Sequence, residues 1–451
     1  MLLFKSCGLL VLAVLSVIGA PVGTPKPAAK GRATLSRSKS LVGKGPAAKA
    51  PAPATAAKKT VVKGKGKGPT SPGRAAPVAA AGAAAVPSTA QTKAGSSIAQ
   101  KAHNLIDNIH ATDDLIIFDS PAYSDANGNT IVALQTFASI RQIDLHKVTN
   151  AVTGFLKTLH VDVGNSLNTF QERVKLLGAI GLPHKSVPFS VPGCSGTAQS
   201  GQTAGLPDLG ISLKTVNLGK CGAAHEMTAT ATLSASDKRV MKGSIFFSPN
   251  SGFGVISDID DTIKVSHVLD KAKLIKSTLL EPPKAVPGMP EVYASLAKSL
   301  KQPQFVYVSG SPYQLYPFLN SFIDTSYAAS KGPILLKNLT AVDPVQTIKF
   351  ITGSNTQAYK VMQIDRLRAM YPAKKWLMVG DSTEKDPEVY AEAFKKGVNV
   401  ACIWIRNVDG SANTPARFAA AFAGVPKTKY RVYKDAEIPS LSKVNVAGGQ
   451  C

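Results

Sequence analysis

The chain has 451 residues, with 52 Lys and Arg against 28 Asp and Glu and a formal net charge of +24. The excess is uneven: 16 basic residues precede the first acid, Asp107, and the remainder carries a net charge of only +8. A strongly basic folded protein is therefore excluded; most of the charge belongs to an amino-terminal arm.

Residues 1–20 read as a secretory signal, with Lys5 as the positive start, an apolar stretch from Leu9 to Ile18 and small residues at Gly19-Ala20. The stretch is short of the roughly 20 residues that span a bilayer. The expected location is therefore secreted or in the secretory pathway. Residues 21–97 are rich in Ala, Pro, Gly and Lys and bury too little apolar surface to offset ordering entropy, so a disordered arm is expected. Its densest patch, Lys63 to Gly68, suits anionic polymers, nucleic acid or an acidic lipid surface through charge alone, or a solvated spacer; no specific nucleic-acid partner is implied.

Residues 98–250 read as a β-rich α+β domain. Strands are expected at Asp114–Phe118 and Thr130–Ile140 across the turn Ala126 to Asn129. Two helices are expected between Ile143 and Leu182, and strands again at Ser212–Leu218, Met227–Leu233 and Gly243–Phe247. His160 and His225 carry no metal-ligand or catalytic spacing. Cys194 and Cys221 suit a disulfide in an oxidising compartment, Cys402 reads as a buried thiol, and Cys451 has no evident partner.

Residues 251–435 alternate short apolar runs with helical segments: Val255-Ile256, Phe305–Val308, Ile334–Leu336, Trp376–Val379 and Val400–Ile405. That alternation implies an α/β domain on a mainly parallel sheet, in which ligands sit beyond the carboxyl ends of the strands. Residues 436–451 read as a tail. The first run is followed by Asp258-Ile259-Asp260-Asp261-Thr262, whose period of two sends Asp258 and Asp260 to one side. Two such carboxylates suit a nucleophile and a proton shuttle. Ser309-Gly310-Ser311 follows the second run and can grip a phosphate oxygen. Gly380-Asp381 to Asp386 follows the fourth and supplies oxygen ligands for a hard cation such as Mg²⁺. Lys360 can neutralise a phosphoryl group. Taken singly, each of these residues also fits an ordinary cap or surface position.

In order, Asp258-x-Asp260-x-Thr262, Ser309, Lys360 and Gly380-Asp381…Asp386 resemble the four motifs of the haloacid dehalogenase (HAD) superfamily. Gly254 to Lys264, Val286-Pro287-Gly288-Met289, Val308 to Pro312 and Asp386 to Tyr390 more closely resemble the Mg²⁺-dependent phosphatidate phosphatases of the fungal actin-patch type. The resemblance implies a HAD-like Rossmannoid domain that hydrolyses phosphatidate to diacylglycerol and phosphate through an aspartyl-phosphate. Asp258 would be the nucleophile and Asp260 the general acid/base, with Ser309 and Lys360 on the phosphate. Asp258, the carbonyl of Asp260, and Asp381 would hold Mg²⁺, supported by Asp386, and Thr262 would order the loop. Asp261 and Glu384 fall outside the motif positions. A secreted phosphomonoesterase for a soluble substrate and a non-catalytic surface-binding protein are the alternatives. Leu274-Ile275 and Leu279-Leu280 could be an apolar approach surface for a lipid or simply core, and Asn338-Leu339-Thr340 is a glycosylation sequon.

Overall fold

The computed structural model describes residues 108–140, 144–195, 197–222, 224–338, 345, 348–349, 356–411 and 413–451. The expected signal and basic arm lie outside them. Among the described residues no helix is long and apolar enough to cross a membrane.

The first half is built on β1 (Asp113–Ile117), β2 (Ser120–Ser124), β3 (Thr130–Ile140), α1 (Leu145–Thr158), α2 (Leu167–Leu177), β4 (Pro188–Ser190), β5 (Thr197–Gln199), β6 (Ile211–Asn217), β7 (Glu226–Ala231) and β8 (Lys242–Phe247). The long strand β3 organises them. Its residues 131–137 pair with β6, while β1 and β2 take opposite ends of its other edge. The turn into β3 is closed by Asp125, whose Oδ1 accepts the backbone N–H groups of Asn127 and Asn129 at 2.9 and 2.8 Å, with Gly128 at φ +75°. The strands expected from alternation are present; β2, β4 and β5 were not foreseen, because three to five residues carry too little pattern.

The second half contains β9 (Phe253–Ser257), α3 (Lys271–Leu279), α4 (Met289–Ser299), β10 (Gln304–Pro312), α5 (Tyr316–Ser326), β11 (Ile334–Lys337), α6 (Gln357–Met370), β12 (Lys375–Asp381), α7 (Asp386–Lys395), β13 (Val400–Arg406), α8 (Pro415–Ala421), β14 (Tyr430–Tyr433) and α9 (Ile438–Leu441). Its six strands run β11-β10-β9-β12-β13-β14, and every described pairing is parallel. The order reverses between β9 and β12, so a crevice opens beyond their carboxyl ends. Helices cover both faces, which is why these strands read as unbroken apolar runs.

The two halves share one core. Phe118, Phe137 and the inner faces of α1 and α2 pack in the same buried cluster as Ile275, Leu279 and Leu319. Phe118 and Phe137 meet Tyr316 and Tyr313 edge-on at 4.6 and 4.7 Å, and the Arg173 guanidinium lies 3.5 Å from the Phe318 ring centre. The Tyr371 hydroxyl donates to the Ala122 carbonyl at 2.9 Å.

Cys194 and Cys221 form a disulfide. Cys402 does so as well, with Cys451, which corrects the expectation of a free buried thiol and an unpartnered final cysteine. The segment read as a tail folds back under the sheet, burying Ile438, Leu441 and Val446 in the core that holds Cys402. A pairing across 49 positions of chain leaves no local mark in the sequence.

Asp119 sits at the junction of the halves. Its backbone N–H donates to the Tyr316 hydroxyl and its carboxylate accepts from the Ser244 N–H, each at 2.8 Å. Burial pushes its carboxyl up to about 6, against the pull of the Ser244 N–H and the Tyr316 hydroxyl on the carboxylate and with help from Asp324 and Glu226. A carboxyl whose folded pKa lies above its unfolded value holds more protons when folded, so its contribution to stability falls as pH rises from about 4 through about 6. The loss approaches about 3 kcal/mol at neutral pH. Asp119→Asn keeps the acceptor and should remove that slope from the pH dependence of urea unfolding; an unchanged slope would contradict the assignment.

Candidate active site

β9 delivers Asp258 to the crevice. The strand is buried on both faces, and the Asp258 N–H extends its ladder by donating to the Val379 carbonyl of β12 at 2.9 Å. The chain then turns tightly, with the N–H groups of Ile263 and Lys264 both on the Ile259 carbonyl at 3.0 Å. Asp261 holds this turn. It adopts φ +55°, and its carboxylate accepts the backbone N–H groups of Ser266, His267 and Val268 at 2.9, 2.9 and 2.6 Å. Arg406, at the end of β13, donates to the Asp261 carbonyl at 2.6 Å while gripping both oxygens of Asp435 at 2.7 Å. Asp261 is thus a loop-ordering residue, as its place outside the motif positions implied.

Asp258, Asp381 and Asp386 converge: one carboxylate oxygen from each lies within 4.8 Å of the others, and all three residues are buried. The Lys360 ammonium, carried in by the first turn of α6 and only 1% exposed, contacts Asp258 Oδ1 at 2.7 Å, Asp386 Oδ1 at 2.5 Å and Glu384 Oε2 at 3.3 Å. The Thr262 hydroxyl stands 3.0 Å from Asp258 Oδ2 and 3.3 Å from Asp381 Oδ2. Burial holds the Asp258 carboxyl well above the usual range; Lys360 draws it down, and Asp386, Asp381 and Glu384 push it further up. Asp381 is pushed up to about 8 by burial and by Asp386. Burial works against the charge on Lys360, but Asp258, Asp386 and Glu384 outweigh it and raise its pKa. Four carboxylates against one ammonium leave an excess of negative charge out of water, which a hard cation on three oxygen donors would offset.

Asp260 belongs to a neighbouring cluster. Its Oδ1 accepts from Lys264 Nζ at 3.1 Å and Ser266 Oγ at 2.6 Å, and its Oδ2 from Ser309 and Ser311 Oγ, each at 3.1 Å. Burial raises its pKa, but Lys264 and these hydrogen bonds prevail and hold it below the usual carboxylate value. Ser309 therefore touches Asp260 rather than the three-carboxylate group, and the Asp260 side chain stands outside that group. Sequence reasoning gave Lys264 and Ser266 no role. A lysine four positions after an acid reads as a helix-surface pair, and only the turn at Asp261 folds it inward. Glu384, read from the sequence as a supporting residue outside the motif positions, braces Lys360 and accepts from the Thr356 hydroxyl at 3.1 Å. Leu274, Ile275, Leu279 and Leu280 are all buried, so the apolar approach surface is excluded and these residues are core. Asn338 is exposed and its amide donates to Asp208 at 3.1 Å.

Gly380 makes the geometry possible. A Cβ there would lie 2.5 Å from Asp386 Oδ2 and 2.7 Å from its Cβ, so a side chain would expel Asp386 from beside Lys360. Gly380→Ala should cost about 1–3 kcal/mol in chemical denaturation. Gly154→Ala, in open space on the exposed face of α1, should instead gain about 0.5–1 kcal/mol. Equal effects of the two substitutions would contradict the crowding argument.

Residues 253–407 match the family model described as "Phosphatidate phosphatase APP1, catalytic domain". The chain is 33% identical over 159 residues to phosphatidate phosphatase APP1 of Saccharomyces cerevisiae, covering 34% of this chain and 26% of that protein. It is 27% identical over 165 residues to an uncharacterized protein of Schizosaccharomyces pombe, covering 35% and 26% respectively. The match thus spans about a quarter of the length of these relatives. It encloses Asp258, Asp260, Thr262, Ser309, Lys360, Asp381 and Asp386, the residues whose placement is described above. Segment 253–407 of this chain is thus similar to the catalytic domain of phosphatidate phosphatase APP1.

Proposed function

We propose that this chain is a Mg²⁺-dependent phosphatase that hydrolyses phosphatidate to diacylglycerol and phosphate. The observation that carries the reading is the convergence of Asp258, Asp381, Asp386 and Lys360 at the switch point of a sheet whose segment matches a phosphatidate phosphatase catalytic domain. The donor set fits the metal: three buried carboxylates, all oxygen, with negative charge to spare. Asp258, Asp381 and Asp386 would hold Mg²⁺, with the carbonyl of Asp260, and the bound ion would offset negative charge on the phosphoryl oxygens.

In this reading a carboxylate oxygen of Asp258 attacks phosphorus, the bond to the glycerol oxygen breaks, and the departing oxygen takes a proton from Asp260. A water then attacks the aspartyl-phosphate and gives its proton to Asp260, releasing phosphate and restoring Asp258. Ser309 and Lys360 hold the transferring group. Ser309 and Ser311 now donate to Asp260. Turning them to a phosphate strips two donors from the Asp260 carboxylate and raises its proton affinity when an acid is needed. Lys360 spreads positive charge between the nucleophile and Asp386.

A site in the secretory pathway is part of the proposal. It is supported by the apolar leader at residues 1–20 and by two disulfides, which persist in oxidising compartments. The basic segment 21–97, free of acids, would hold the enzyme near anionic lipid.

Phosphate release from phosphatidate in mixed micelles should require Mg²⁺, vanish with EDTA, and fall at least about 10³-fold in Asp258→Asn. Small soluble phosphomonoesters under the same conditions should be poor substrates. Undiminished activity of Asp258→Asn would overturn the assignment, and preference for the soluble esters would overturn the substrate.

A further inference from the structure

A cavity of about 550 Å³ opens at the end of the parallel sheet opposite Asp258. It lies where the last residues of β8, the first residue of β9, the end of α4 and the start of β12 meet. The length of β9, roughly 16 Å of strand, separates it from the carboxylate group. Its size falls in the ordinary range for small-molecule sites.

Its lining is charged in one sense only. Lys374 and Lys301 both face it, and no Asp or Glu is among its lining residues. Three lysines are buried to 1% exposure among the described residues: Lys264, Lys360 and Lys374. Lys264 faces Asp260, and Lys360 faces Asp258 and Asp386. Lys374 has only neutral acceptors, Ser248 Oγ at 2.9 Å and the Ser251 carbonyl at 3.1 Å. Burial alone draws its pKa down, to about 8, with no carboxylate to oppose it. Buried ammonium groups are ordinarily paired, so a cavity wall carrying an unneutralised one is a place for an anion. Lys301 and Gln302 both hold left-handed backbone, at φ +57° and +56°, a conformation uncommon outside glycine that sets the second cation at the rim. Phe247, Phe253 and Leu300 supply apolar wall beside the two lysines.

We propose that this cavity binds a small organic anion, its phosphate or carboxylate head between Lys374 and Lys301 and its apolar body against Phe247 and Phe253. The site is independent of the catalytic reading above, since it shares no residue with it.

Lys374 reports directly on occupancy. At about pH 8.5 a large share of its amine is neutral and should acylate with acetic anhydride, read by mass spectrometry of the peptide that carries it. The full chain would be labelled in EDTA alone, with phenylphosphonate, with benzoate, and with benzyl alcohol as the uncharged control. At least one anion should slow acylation of Lys374 by about 10-fold, and benzyl alcohol should not. Protection by phenylphosphonate only, or benzoate only, identifies the head group. Lys301→Asn removes the rim charge yet tolerates the left-handed backbone, and should weaken protection by about 10-fold. Lys374→Met should abolish anion binding in calorimetry while leaving phosphate release intact. No acylation of Lys374, no protection by either anion, equal protection by benzyl alcohol, or protection indifferent to Lys301→Asn would overturn the proposal.

Discussion

The placement of Lys360 governs this molecule. Its ammonium lies between Asp258 and Asp386 at hydrogen-bonding distance, with Glu384 alongside and water excluded. Removing either side of such an arrangement leaves a buried charge uncompensated, a penalty of about 3–5 kcal/mol. The surrounding structure can be understood as what is needed to bring four acids and one lysine to one point. β9 and β12 are adjacent so that Asp258 and Asp381 leave neighbouring strands. α6 begins at the crevice so that Lys360 enters from the side, and α7 begins there so that Asp386 sits in its first turn.

The supports extend well beyond the motif residues. Asp261 fixes the turn after β9, Arg406 fixes Asp261, and Asp435 fixes Arg406. Asp435 lies just before the closing segment that the Cys402–Cys451 bond ties to the sheet. The amino-terminal half contributes a wall. Its helices and β3 share a core with α3 and α5, which border the crevice loop, so its role includes holding those helices in place.

Much of this was legible in the sequence, for identifiable reasons. Parallel strands buried on both faces appear as apolar runs, and a ligand crevice beyond their ends made the acids after Ile256 and Val379 conspicuous. The order of Asp258, Ser309, Lys360 and Asp381 then carried the family. What stayed hidden depends on distance through the fold. Lys264 and Ser266 reach Asp260 only because Asp261 takes a left-handed turn. Cys451 meets Cys402 only because the chain after β14 doubles back. Ile275 and Leu279 satisfied an apolar pattern equally as surface or core, and burial in the cluster that holds Phe170 and Val174 of α2 decided for core. Lys374 was unremarkable until its surroundings showed a buried cation with neutral partners.

The central claim is that the carboxylate beside Lys360 forms a covalent bond to phosphorus during turnover. Acid quenching during turnover of phosphatidate with Mg²⁺, followed by borohydride reduction, converts an aspartyl-phosphate to homoserine that peptide mass spectrometry can locate. The account requires homoserine at position 258, dependent on both substrate and Mg²⁺. Sustained turnover with position 258 unmodified, or with the modification at another residue, would contradict it.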